Sequence, residues 1–193
     1  MPIQQPNQQR RGSGGPRRND RNNAPREEKQ FEEIVISIDR VARVVKGGRR
    51  FRFKALVVVG DKKGKVGVGV SKGADVQVAV QKATDVAKKS MITVPVQNGS
   101  IPHDVEVKLS GARVLLKPAS PGTGVIAGGV VRNIIGVTGI TDLLSKSLGS
   151  SNKVNIAYAT LNALKSLVPR SEWHNAPKPK ADAAPKTVEE EEK

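Results

Sequence analysis

There is no cysteine in the 193 residues, which excludes disulfides, thiolate-bound zinc and thiol nucleophiles. Aromatic residues make up only 3%, too few for stacking on single-stranded bases to be a main mode of binding. The two histidines, His103 and His174, stand far apart. With no carboxylate pair at a useful spacing either, neither an acid–base constellation nor a metal-ligand cluster is legible. Long apolar runs are also missing. The richest window, Gly124 to Ile140, is broken by Arg132 and Asn133, and no apolar run follows Met1. The reading is a chain without a membrane span or leader, compatible with the cytoplasm.

Positive charge is in excess. Lys and Arg number 33 against 18 Asp and Glu, a formal net charge of +15 with a pI near 10.3. Such an imbalance selects a polyanionic partner, nucleic acid before any other. Net charge is +4 over residues 1–30, +12 over 31–168 and −1 over 169–193, so the basicity belongs to the patterned middle. Residues 1–30 are Gln, Asn, Gly, Pro and Arg with almost nothing apolar to bury, and read as a disordered Arg-rich arm. Residues 169–193, rich in Pro and Ala with an acidic end, read as a disordered tail.

The middle divides into two α+β units, 31–110 and 111–168. In the first, "EIVISIDRVARVV" alternates at Ile34, Ile36 and Ile38, Gly47-Gly48 makes a turn, and "FRFKALVVVG" puts Phe51, Phe53, Ala55, Val57 and Val59 on one face. After "DKKGK", Val66, Val68 and Val70 share a face opposite Gly67 and Gly69. An antiparallel sheet results, covered by a helix from about Asp75 to Lys89 with Val76, Ala79, Val80, Ala83 and Ala87 inward. "MITVPV" and "DVEVKLSG" are short strands flanking a turn at Asn98-Gly99. The second unit reads strand ("RVLLKPA"), helix ("GVIAGGVVRNIIG"), extended segment ("ITDLLSKSLGS") and a closing helix capped by Asn152 and stopped by Pro169.

Two glycine-rich stretches invite chemistry. Gly122-Thr-Gly124-Val-Ile-Ala127, with Asp142 further on, has the local grammar of a dinucleotide fingerprint. Too little chain remains for a doubly wound domain, which favours closely packed glycines instead. Gly64-Lys-Val-Gly67 matches the clamp loop of KH domains but sits at a strand start rather than between helices. The stronger signal is cationic: Arg40, Arg43, Lys46, Arg49, Arg50, Arg52 and Lys54 fall within fifteen positions that hold no acid. One or two charges would suffice to guard a strand edge. Arg supplies bidentate donors, and Gly47 and Gly48 allow backbone N–H groups to approach phosphates. Lys62, Lys63, Lys65 and Lys72 extend the candidate surface. The reading is a non-enzymatic binder of folded RNA, without cofactor, metal or small-molecule substrate. A free-standing RNA chaperone or regulator and a nucleotide-dependent enzyme are the alternatives.

"RVARVVKGGRRFRFKALVVVGDKKGKVGVGVSKG", "VQKATDVAKKSMI" and "KPASPGTGVIAGGVVRNIIGVTGITDLLSKSLGSSNKVNIAYATLNAL" resemble the bacterial small-subunit ribosomal protein S-five family. The resemblance implies an N-terminal domain akin to the double-stranded-RNA-binding fold, lacking that fold's first helix. It also implies a C-terminal α/β domain with a left-handed βαβ crossover. The implied role is that of a ribosome-bound constituent of the small subunit, acting in decoding fidelity, head–body coupling and the channel through which mRNA enters. Small-subunit rRNA, mRNA and ribosomal proteins S-four and S-eight are the implied partners. The segment Arg40 to Arg49 resembles the one that reaches rRNA near the spectinomycin site, with Ala42 and Arg43 standing where the family has a small residue such as Ser and Lys. Gly124 and Arg132 resemble positions at the contact with S-four.

Overall fold

A computed structural model describes residues 31–173. The disorder expected of residues 1–30 and of 174–193 lies outside the described residues, as does His174 itself. The start of the expected tail, however, is ordered: Arg170–Glu172 form a 3-10 turn, and the Trp173 indole N–H donates to the Val168 carbonyl at 3.2 Å while its ring packs against His103.

β1 (Glu32–Val45) and β2 (Gly48–Gly60) form a long antiparallel hairpin. β3 (Lys65–Gly73) pairs antiparallel with β2, and the two-residue β4 (Ile92–Thr93) closes the sheet in the order β1-β2-β3-β4. The alternation expected at Ile34, Ile36 and Ile38 is interrupted. A bulge between Val35 and Ser37 shifts the register, and one extra residue moves the following side chains to the other face. Ile38 therefore sits opposite Ala55 and is 45% exposed, while Ile34 and Ile36 pack on the main core.

α1 (Val76–Lys89) covers one face of this sheet with Ala79, Ala83 and Ala87, one residue per turn. Gly67, Gly69 and Gly73 of β3 lie beneath it. A Cβ on Gly69 would come within 2.7 Å of the Ala87 amide nitrogen, and one on Gly73 within 2.6 Å of the Ala79 nitrogen. Alanine faces bare backbone along the whole contact, so helix and strand approach more closely than side chains on β3 would allow.

The second sheet contains β5 (Val105–Leu109), β6 (Ala112–Pro118), β7 (Val125–Ile126) and β8 (Leu143–Gly149) in the order β5-β6-β8-β7. Its pairs are antiparallel except β7 with β8, which run parallel and are joined through α2 (Gly129–Thr138). α3 (Lys153–Lys165) closes the unit, and Asn152 caps it by accepting the Val154 N–H at 3.1 Å. Two expectations shift. "DVEVKLSG", grouped with the first unit, hydrogen-bonds to β6, because a short strand's pattern does not name its partner sheet. The helix expected from Gly124 starts at Gly129, after β7, since Gly122 and Gly124 take positive φ of 89° and 74° that no helix accommodates.

β2 is buried on both faces. Ala55, Val57 and Val59 meet α1 and its alanines, whereas Leu56 and Val58 join Val66 and Val68 in a core shared with Val114, Leu116, Ile134, Ile135 and Leu164. That explains the unbroken "ALVVV", where an alternating pattern would mark a one-sided strand. The β2–β3 loop also completes α2. Lys62 N–H donates to the Val137 carbonyl at 3.0 Å and Gly64 N–H to that of Thr138 at 2.9 Å, supplying partners to carbonyls that a helix end leaves open.

Gly69→Val should destabilise the protein by about 1–3 kcal/mol, the usual cost of forcing volume into a closed contact. Gly47→Ala, where a Cβ meets nothing within 4 Å, should stay within about 0.5 kcal/mol of the parent. Urea unfolding of both variants measures the contrast, and equal midpoints would refute the close-packing account.

Candidate nucleic-acid interface

β3 pairs with β2 only from Phe53 to Gly60. Beyond Phe53 the hairpin continues as a two-stranded arm ending at Lys46, Gly47 and Gly48. Antiparallel register sorts its side chains. One face carries Arg43 opposite Arg50, Val41 opposite Arg52 and Asp39 opposite Lys54, with Lys72 opposite Lys54 on its other side. The reverse face carries Val44 opposite Arg49, Ala42 opposite Phe51 and Arg40 opposite Phe53.

Like charges directly opposite each other destabilise a sheet by some tenths of a kcal/mol to about 1 kcal/mol. Arg43 and Arg50 make such a pair, with Arg52 next along β2. Asp39, at the arm's base, is engaged by Lys54 at 2.8 Å. An external polyanion would neutralise the remainder. On the reverse face the Arg40 guanidinium lies 3.8 Å from the Phe51 ring centroid. At an exposed site this stacking is worth about 0.5–1 kcal/mol and holds the planar donor group in place. Phe51 is 48% exposed. The sequence pattern grouped it on one face with Ala55, Val57 and Val59 and so missed it as part of the basic surface. Gly48 has φ of 141°, a conformation that suits glycine, whereas Gly47 has no positive φ.

Lys62, Lys63 and Lys65 are not brought into this cluster. They sit at the far end of β2, whose thirteen residues span roughly 40 Å at the strand rise. Lys62 pairs with Glu32 at 3.1 Å. The Asp61 carboxylate accepts the N–H groups of Lys63 and Lys65 at 2.8 and 2.9 Å. Burial pushes its pKa up, but the Lys65 and Lys63 amides outweigh that and hold it below the ordinary carboxylate value. Arg40, Arg43, Lys46, Arg49, Arg50, Arg52, Lys54 and Lys72 share the hairpin end of the sheet.

The Gly122–Ala127 stretch is already occupied by the protein's own anion. Asp142, only 7% exposed, accepts the Gly124 N–H at 2.8 Å through Oδ1 and the Thr141 hydroxyl at 2.7 Å through Oδ2. The Gly124 amide foremost, then the Thr141 hydroxyl, hold its carboxyl below the ordinary value against burial, with smaller help from the Gly122 and Thr123 amides. The donors that a pyrophosphate would need are therefore directed at Asp142, and the acid expected at a ribose serves instead to clamp the loop. Gly99 joins it, its carbonyl accepting the N–H groups of Thr141 and Asp142 at 2.9 and 3.0 Å.

Residues 31–95 match the family described as Ribosomal protein S5, N-terminal domain, and residues 107–174 match Ribosomal protein S5, C-terminal domain. The chain belongs to the ribosomal protein S5 family. Relatives called Small ribosomal subunit protein uS5 are similar over most of its length. That of Thermus thermophilus is 53% identical over 156 residues, covering 81% of this chain and 96% of the relative. That of Campylobacter jejuni is 55% identical over 138 residues, covering 72% and 94%, and that of Treponema pallidum 52% over 141 residues, covering 73% and 82%. Membership in the S5 family makes the chain a structural, non-enzymatic ribosomal protein, and the dinucleotide reading of Gly122–Ala127 is set aside with it. Gly124 lies at the start of β7, and Arg132 is exposed on the first turn of α2.

The lowered pKa of Asp142 sets a pH signature. Its stabilising effect is present above the unfolded carboxylate pKa, about 4, and is lost as pH falls through the lower folded value. The stability advantage of the parent over Asp142→Asn should thus be constant near neutrality and shrink in acid, as read by urea unfolding across pH. A difference that ignores pH would mean that no ionised carboxylate holds the loop.

Proposed function

We propose that the β1–β2 arm is the chief rRNA contact of this chain within the small ribosomal subunit, gripping phosphates with the face of Arg43, Arg50 and Arg52. The observation that carries this is the uncompensated cross-strand pair Arg43–Arg50 on a hairpin that extends past its sheet. The reverse face adds the Arg40–Phe51 stack, Lys46 and Arg49 reach from the tip, and Lys54 and Lys72 stand at its base. Lys62, Lys63 and Lys65 form a separate basic point for RNA at the opposite end of β2.

A stiff arm on a doubly buried strand is suited to linking RNA elements that move relative to one another, which supports the roles in head–body coupling and translational accuracy. Gly124 and Arg132 are assigned to a protein interface with S-four. The Gly124 backbone leaves the accessible range of other residues, and Arg132 stands clear of the core. S-eight, mRNA at its channel into the subunit, and a cytoplasmic ribosome-bound location complete the reading, which rests for these finer points on the family resemblance.

Replacing Arg43, Arg50 and Arg52 with Ala should weaken binding to small-subunit rRNA. It should also flatten the log–log salt dependence by about 0.7–0.9 for each phosphate no longer neutralised. Unfolding midpoints report whether the fold is intact, and an unchanged slope would remove this face from the RNA interface. Gly48→Val should reduce rRNA affinity more than stability, because the strain falls on an exposed turn.

A further inference from the structure

Asn98 and Gly99 form a tight turn between β4 and β5. Their φ angles are 49° and 77°, and Asn-Gly is the dipeptide that most readily takes positive φ at both positions of a two-residue loop. Gln97 and Ser100 close the turn with reciprocal backbone bonds of 2.9 and 2.8 Å. Gly99 has a second reason to lack a side chain, since a Cβ there would run into the Thr141 hydroxyl. Its carbonyl accepts that hydroxyl at 3.1 Å, in addition to the Thr141 and Asp142 N–H groups.

The same requirements place a labile amide beside an unshielded nitrogen. Asn98 is exposed. It is the one asparagine of the chain that precedes glycine, and no aspartate does so. The Gly99 N–H has no backbone acceptor among the described residues, and a residue without a side chain leaves its nitrogen open to close approach. Asparagine is itself thermolabile. We propose that Asn98 is a site of spontaneous deamidation and isoaspartate formation, and that the altered turn loosens the loop anchor at Asp142.

In the reaction the Gly99 nitrogen gives its proton to water and attacks Cγ of Asn98. An N–Cγ bond forms, the Cγ–Nδ2 bond breaks, and the side-chain nitrogen takes up a proton and leaves as ammonia. Water then opens the succinimide. Cleavage at Cγ leaves aspartate in an unaltered chain. Cleavage at the backbone carbonyl carbon leaves isoaspartate, with the chain running through Cγ and longer by a methylene. Water is consumed, ammonia is released, and nothing is oxidised or reduced. The closed turn holds Asn98 in left-handed backbone, so ring closure proceeds from local openings of the Gln97–Ser100 pair. The lengthened backbone then displaces the Gly99 carbonyl from Thr141 and Asp142, and Asp142 is the residue that holds the Gly124 amide.

This chemistry is independent of RNA binding. It is tested by incubating the full-length protein in warm, mildly alkaline buffer and mapping its peptides by mass spectrometry. Protein isoaspartyl methyltransferase, with S-adenosylmethionine as methyl donor, distinguishes isoaspartate from aspartate. The Asn98 amide should be lost well ahead of that of Asn152, which is exposed but precedes Lys153, with isoaspartate exceeding aspartate. The mapping needs no variant. Urea unfolding then reads the consequence: the midpoint of the parent should fall with age, while Asn98→Gly, which keeps a loop of the same class but has no amide to lose, should hold its midpoint. Conversion no faster than at Asn152, aspartate without isoaspartate, or an equal fall in Asn98→Gly would each overturn the inference.

Discussion

Everything in this molecule hangs on β2 being covered from both sides. Its odd-numbered side chains, Ala55, Val57 and Val59, pack on α1, and its even-numbered ones, Leu56 and Val58, reach the core of the second unit. A strand held in this way cannot slip register without moving two cores at once. The same strand continues outward into the basic arm, so the position of Arg50 and Arg52 is inherited from buried valines. Exposed charge placed on a rigid base loses less conformational freedom when it binds.

The two glycine-rich loops show how one backbone device serves opposite ends. At Gly122–Gly124 the amides face inward to Asp142, and the charge balance is settled within the chain. At Gly47–Gly48 the hairpin residues from Arg40 to Lys54 carry no carboxylate, and arginines crowd the adjoining strands. One loop is finished by folding. The other is left with a surplus of positive charge among the described residues.

Much of this was legible because it is local. Alternation, the paired glycines and the acid-free run revealed the hairpin, and Asn152 marked the start of α3. Where the reading failed, the cause was non-local. The bulge at Ile36 altered side-chain parity for Ile38, an effect no strand template carries. Val105–Leu109 has the same pattern in either sheet, so its attachment to β6 was invisible. Lys62, Lys63 and Lys65 follow the hairpin closely in sequence yet stand a strand's length away in space. Asp142 was noticed for the wrong reason, since spacing suggests a ribose whereas geometry shows a loop clamp.

The bonds from Lys62 and Gly64 to the end of α2 bear on how the protein is made. Synthesis delivers β1 to α1 first, with Leu56 and Val58 flanked only by sheet neighbours such as Val66 and Val68 until β6 and α2 follow. During that interval the nascent chain presents an apolar sheet face beside a strongly cationic arm, a combination prone to adhere to any nucleic acid nearby. Completion of the second unit both hides that face and ties the β2–β3 loop, so the later-made half determines when the earlier one becomes safe to release.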